Sequence, residues 1–215
     1  MGSVLLTHWH YDHVGGVSQI ARLCPNATYS KAYPLERGPT EFLPIHEGDV
    51  FTVEGGRVRA VYTPGHTTDH TAFWMEDVGA LFTGDSVLGQ GTAVFENLTT
   101  YMASLKKQLE LFPKILYPSH GPEIQGDQAA LKKIQEYIDH RQQRENEVIE
   151  VLKGAKPDAG LSPLDIVKVI YAKYPKDLWS AAERGVVLHL EKLRDEGKAE
   201  RIGDGKWRLT DTSRI

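Results

Sequence analysis

A chain of 215 residues, 40% hydrophobic and 25% charged, has the make-up of an ordinary globular protein with room for one medium domain and a small one. The net charge of −4 argues against a protein that coats a polyanion, though a local basic face remains compatible with it. No apolar run approaches a membrane span and no signal peptide is read ahead of the first motif. The single cysteine, Cys24, excludes an internal disulfide and suggests an intracellular setting.

In chain order, Val4-Leu5-Leu6-Thr7 is apolar and partly β-branched, which predicts a buried strand. It runs into Thr7-His8-Trp9-His10-Tyr11-Asp12-His13, which holds three imidazoles and a carboxylate within six positions. On an extended backbone His8 and His10 point the same way, because side chains alternate with a period of two, so one metal ion can be gripped by both. Asp12 and His13 fall on the turn that follows and can reach a second ion beside the first. Imidazole nitrogen and carboxylate oxygen suit zinc, and iron and manganese accept the same donors. Trp9 and Tyr11 alternate with these residues and are expected to pack rather than to catalyse.

Residues 15–24 read as a helix ended by Pro25-Asn26, with Cys24 on its apolar face beside Ile20 and Leu23 as a buried core thiol. A strand is predicted over residues 27–31 and a loop, rich in Pro and Gly, over 33–44. Residues 49–53 and 57–62 flank Glu54-Gly55-Gly56, a strong hairpin signal, and a second hairpin joins residues 71–75 to 80–83. Residues 98–112 form an amphipathic helix, and residues 114–117 form the last strand of this part. His66, Asp85 and His120 each follow the C-terminal end of a strand, as the opening motif does, so four strand ends on one rim would gather them into one site.

A long charged helix is predicted over residues 128–153, then a linker over 154–160. Ser162 is the N-cap of a helix running through Tyr171, with Pro163 and Asp165 in its first turn. A second helix spans residues 179–195, and residues 199–209 read as a small hairpin around Gly203-Asp204-Gly205. Helices followed by a hairpin suggest a winged-helix-like domain over residues 161–215, set behind a catalytic domain of residues 1–153.

The His-x-His-x-Asp-His run followed by Gly-Gly resembles the signature of the metallo-β-lactamase superfamily. Thr63-Pro64-Gly65-His66-Thr67, Phe82-Thr83-Gly84-Asp85, the run from Leu88 to Glu96, and Tyr117-Pro118-Ser119-His120-Gly121-Pro122 extend the likeness to the beta-lactamase-like protein 2 group, over nearly the whole chain. That group includes fungal carrier-protein thioesterases. The resemblance implies an α+β fold, an αββα sandwich with a C-terminal winged-helix-like domain. It also implies that the sandwich is N-terminally incomplete here, with exposed strand edges and a half-covered core, because His8 comes almost at once. It assigns His8, His10 and His66 to one metal, Asp12, His13 and His120 to the second, and Asp85 to both, with two Zn2+ as the expected cofactors and Asp12 and Asp85 as the catalytic carboxylates.

Such a pair of ions gives hydroxide near neutral pH from a water held between them, and hydrolysis follows. His70 could support a ligand or meet the substrate, and a histidine satisfied by backbone is an equal reading. Thr67 and Ser119 flank ligands and could support them by hydrogen bonds, while His46, His140 and His189 are read as non-ligands. The preferred substrate is a small-molecule or carrier-bound acyl thioester. The alternatives are single-stranded RNA, favoured modestly by Lys198, Arg201, Lys206, Trp207 and Arg208, and an inactive, truncated metal-binding protein. The likeness further leads us to expect no membrane association, a cytoplasmic or mitochondrial location, and compatibility with a homodimer.

Overall fold

Strand and helix signals turn into elements much as their spacing predicts. The computed structural model describes residues 2–32, 41–156 and 159–210. They form two compact units, one of residues 1–96 and 100–138, the other of residues 97–99 and 139–215.

In the first unit, β1 (Ser3–Leu6), β2 (Thr28–Lys31) and β3 (Leu43–Pro44) make a three-stranded parallel sheet with β1 at one edge. The second sheet runs β4 (Val50–Val53), β5 (Gly56–Tyr62), β6 (Thr71–Met75), β7 (Ala80–Gly84), β8 (Ile115–Pro118) and β9 (Ile124–Gln125) in sequence order. Leu5 of β1 packs with Ile45, Val58, Ala60, Phe73 and Phe82, so the two sheets share an apolar layer. The alternate residues Val61, Ala72 and Leu81 are fully buried on the opposite face, as period-two alternation requires of a sheet covered on both sides. Helix α3 (Leu98–Leu109) is tied to the loop after β5, where Ser104 Oγ donates to the Pro64 carbonyl at 2.7 Å. Beside the β1 edge lies a cavity of about 540 Å³ bordered by Leu5, Val58, Phe73, Phe82 and Tyr117.

Strand direction gathers the site. β6 is antiparallel to both β5 and β7, and β8 is parallel to β7. β5, β7 and β8 therefore point the same way, and the residues that follow their C-terminal ends lie along one edge. The end of β1 joins them, because Thr71 N–H donates to the Thr7 carbonyl at 2.8 Å.

Several local expectations need correction. The opening motif is itself partly helical: α1 (Tyr11–Val14) carries Asp12 and His13, and the next helix, α2 (Val17–Leu23), starts two residues later than its glycines suggested. Val17 and Ala21 of α2 pack against Leu6 and Tyr29, whereas Ile20 and Leu23 are exposed. Cys24 is exposed as well, not a core thiol, because the helix stops at Leu23 and Cys24 follows with φ −127° and ψ 63°. Trp9 and Tyr11 do not pack inside: they are 52% and 85% exposed. The helix expected over 98–112 ends at Leu109, and Phe112 has φ 50°. β9 follows β8, which is thus not the last strand of the sheet. Most of the expected loop at 33–44, residues 33–40, lies outside the described residues, as do 157–158 of the expected linker.

Helix α4 (Asp127–Lys153) runs across the division between the units. In the second unit α5 (Pro163–Ile170) begins at a capping box in which the Ser162 side chain accepts from the Asp165 N–H and the Asp165 side chain accepts from the Ser162 N–H. It packs with α6 (Trp179–Asp195), β10 (Ala199–Arg201) and β11 (Trp207–Leu209) around Ile166, Val186, Leu190, Leu193 and Trp207. Among the described residues no helix is long and apolar enough to cross a membrane.

Candidate metal centre

Seven side chains from four segments converge at the strand-end rim. His8 Nε2, His10 Nδ1 and His66 Nε2 form a triangle with edges of 2.9, 3.0 and 3.1 Å. A tetrahedral ion with nitrogens at about 2.0–2.1 Å would set them about 3.3–3.4 Å apart, so the triangle lies within a few tenths of an ångström of that arrangement. Asp12 Oδ2, 3.5 Å from His13 Nε2 and 3.2 Å from His120 Nε2, forms a second group beside it.

Asp85 lies between the groups. Its Oδ2 is 4.0, 3.6 and 3.5 Å from the Nε2 atoms of His8, His66 and His120, and its Oδ1 is 3.3 Å from His13 Nε2. Gly84 makes this placement fit. Its φ of +54° is one that side chains rarely adopt, and a Cβ there would stand 2.5 Å from His70 Nε2. Gly65, at φ +130°, lets the loop before His66 lie against the Tyr101 backbone, where a Cβ would come within 2.3 Å.

These donors fit divalent ions. His66 Nδ1 sits 2.7 Å from the Val94 carbonyl, which can only accept, so the ring proton is on Nδ1 and Nε2 turns a lone pair into the triangle. Thr7 Oγ1 lies 3.0 Å from His8 Nδ1 and 3.4 Å from His13 Nδ1. His13 Nε2 and Asp85 Oδ1 are buried polar atoms without a hydrogen-bond partner among the described residues, facing each other across the site. Burial and the neighbouring imidazoles push His8 below the usual histidine range, and burial does the same to His66. Burial works to raise Asp85, but His13, His8 and His66 together hold its carboxyl below the usual range. His13 is raised by its approach to Asp85. His8 and His66 thus stand neutral and Asp85 ionised near pH 7, the states a cation requires of these three ligands, whereas His13 must give up its proton to bind one.

His70 does not reach the surface. Burial lowers it to about 3, and its nitrogens meet Thr63 and the Asp85 backbone. Thr67 Oγ1 donates to Asp69 Oδ1 at 2.7 Å rather than to a donor residue. Ser119 contributes its backbone N–H to the Gly84 carbonyl at 3.1 Å. His46 lies apart and exposed, and His189 is buried in the second unit, its Nδ1 2.8 Å from the Gly185 carbonyl. Sequence reasoning missed the Val94 carbonyl and the part-buried Lys31–Asp69 ion pair beside the His66 loop. No local signal marks either one, since each joins positions 28 or more residues apart.

Residues 3–120 match the metallo-beta-lactamase superfamily and residues 162–207 match the beta-lactamase associated winged helix domain. The chain is 42% identical over 207 residues to the beta-lactamase-like protein 2 homolog of Drosophila melanogaster, an alignment covering 91% of this chain and 69% of that protein. It is 39% identical over 220 residues to the atrochrysone carboxyl ACP thioesterase of Aspergillus fumigatus, covering 96% and 69%. The chain thus spans about two thirds of the length of these relatives. Its fold is that of a beta-lactamase domain protein from Burkholderia ambifaria (TM-score 0.80, 21% identity, 98% of this chain and 74% of that one). It also matches a metallo-beta-lactamase family protein from Thermus thermophilus (TM-score 0.74, 22% identity, 98% and 80%).

Proposed function

Because the chain belongs to the metallo-β-lactamase superfamily, we propose that it is a dinuclear metallohydrolase acting on an acyl thioester carried by a protein or a small thiol. The observation that carries the dinuclear reading is the reach of Asp85, whose two oxygens lie 3.3–4.0 Å from four imidazoles of both groups. His8, His10 and His66 would hold one ion, Asp12, His13 and His120 the other, and Asp85 both. Zinc is the first choice, and iron or manganese would accept the same donors. When bound, the ions supply Lewis acidity towards a carbonyl oxygen and ease deprotonation of water.

The protein's own groups do the rest. Neutral His8 and His66 leave their lone pairs for binding, and the Asp85 carboxylate would offset the charge of two cations. Asp12 is exposed, so its carboxylate can take the proton released by the attacking water and pass it to solvent. Water adds to the carbonyl carbon, the carbon–sulfur bond breaks, and a carboxylic acid and a thiol leave. Thiols ionise near about 8.5, so the departing sulfur needs little help from an acid. Exposed Trp9, Tyr11 and Val94 offer an apolar acyl group a surface beside the donors.

The thioester reading takes support from the name of the Aspergillus fumigatus relative. Nucleic acid is less favoured, because two of the basic hairpin residues already have partners: Lys198 Nζ is 2.6 Å from Glu196, and Arg208 Nε is 2.8 Å from Glu200. In this reading residues 1–153 are the catalytic domain, 154–160 the linker and 161–215 the winged-helix-like domain. The test is turnover of an acyl thioester, followed by thiol release, against cleavage of single-stranded RNA, by protein loaded with zinc, manganese or iron. Thiol release lost in Asp85→Ala supports the proposal. RNA cleavage would replace the substrate class, and two bound ions with neither activity would make the chain an inert metal-binding protein.

A further inference from the structure

We infer that His70, locked as the neutral Nδ1–H tautomer, is the positioning residue that holds Asp85 between the two donor groups. The inference rests on the metal-centre reading above. The Asp85 backbone N–H donates to His70 Nε2 at 3.1 Å, and an amide can only donate there, so Nε2 carries no proton. On the other side of the ring, Nδ1 lies 3.1 Å from the Thr63 carbonyl, which can only accept, and 2.9 Å from Thr63 Oγ1. The two assignments agree independently. Thr63 Oγ1 is itself anchored, accepting from the Ala72 N–H at 3.1 Å.

The ring is fully buried and ties the segment after β5, which carries His66, to the end of β7, which carries Asp85. Its centroid lies 5.3 Å from that of His8 and 5.7 Å from that of His66, and the ring has no exposed surface. Gly84 gives the ring its place, since any Cβ there would collide with Nε2. Take the imidazole away and Asp85 loses the acceptor for a buried N–H, so the carboxylate that must face both groups is no longer fixed through its own backbone. His70 then acts on metal affinity through Asp85, without touching metal or substrate.

The test compares the 215-residue chain with its variants His70→Gln, whose amide oxygen can accept at the Nε2 position, and His70→Leu, which cannot. Zinc affinity is read by competition with a chelating dye, and Co2+ absorption spectra report the ligand field. His70→Leu should bind about 10–100-fold more weakly, with a changed Co2+ spectrum, and His70→Gln should recover most of the loss. Long-range proton–nitrogen NMR of the metal-free wild type should show His70 protonated at Nδ1 and bare at Nε2. A proton on Nε2, wild-type affinity in His70→Leu, or equal losses in both variants would overturn the inference. If His70→Leu does not fold, the tautomer and the Gln variant still decide. A wild-type protein that takes up no zinc would end the metal reading and, with it, this role of His70, whereas a failed tautomer or rescue leaves that reading standing.

Discussion

Asp85 Oδ1 and His13 Nε2 lie 3.3 Å apart in a buried site, and neither makes a hydrogen bond among the described residues. One follows the end of a strand and the other belongs to the one-turn helix α1, and apart from their approach to each other no described protein group meets either. A buried carboxylate oxygen facing a bare imidazole nitrogen costs free energy unless a proton or a metal cation answers both.

Asp85→Asn keeps the size of the side chain and removes its charge. The variant should hold fewer than two ions by elemental analysis, and its turnover should fall by more than about 10²-fold. Asp12→Asn should retain folding and lose less of the bound metal, because Asp12 belongs to one group only.

Gly84→Ala tests the packing that supports this carboxylate. A left-handed backbone costs an alanine about 1–2 kcal/mol, and the 2.5 Å approach to His70 Nε2 adds strain of similar size. Urea unfolding should show a loss of about 2–4 kcal/mol at an unchanged slope. A loss under about 1 kcal/mol would mean that the ring and the strand end have room to spare.

Half-buried Lys31 pairs with buried Asp69, and Asp69 also accepts from Thr67, so the pair clamps the loop that carries His66. Lys31→Met strands a buried carboxylate and should destabilise the protein by about 3–5 kcal/mol. Adding Asp69→Asn removes the stranded charge while keeping an acceptor for Thr67, and should recover much of that loss. Additive losses in the double variant would show that the pair is not coupled.

His189 in α6 is 2% exposed, and burial lowers it to about 4 from the ordinary 6.5. The folded form keeps it neutral while the unfolded chain takes up a proton below 6.5. Its contribution is therefore complete above pH 6.5, declines as the pH falls through 6.5, and levels off near 4. The amount is about 3 kcal/mol across that window. His189→Leu should flatten this part of the stability profile, measured by urea midpoints between about pH 4 and 7.5. An unchanged profile would show that the ring is solvated in the native state.

The sequence by itself determined the elements and the donors. Period-two runs such as Arg57-Val58-Arg59-Ala60-Val61-Tyr62 marked strands, Ser162 with Asp165 marked a helix start, and the opening histidines marked a candidate metal site, because each signal is written in neighbouring residues. It misjudged Cys24, Trp9 and Tyr11, since the helix stops one residue before Cys24 and the two aromatic rings stand at the exposed rim, and neither the stop nor the rim is written in apolar spacing. Tertiary structure alone decided which way Asp85 turns, that the Val94 carbonyl sets the His66 proton, and that His70 is sealed behind the site. Those relations join residues 15 and 28 positions apart through backbone atoms, which every residue carries, so no side-chain pattern along the chain could announce them.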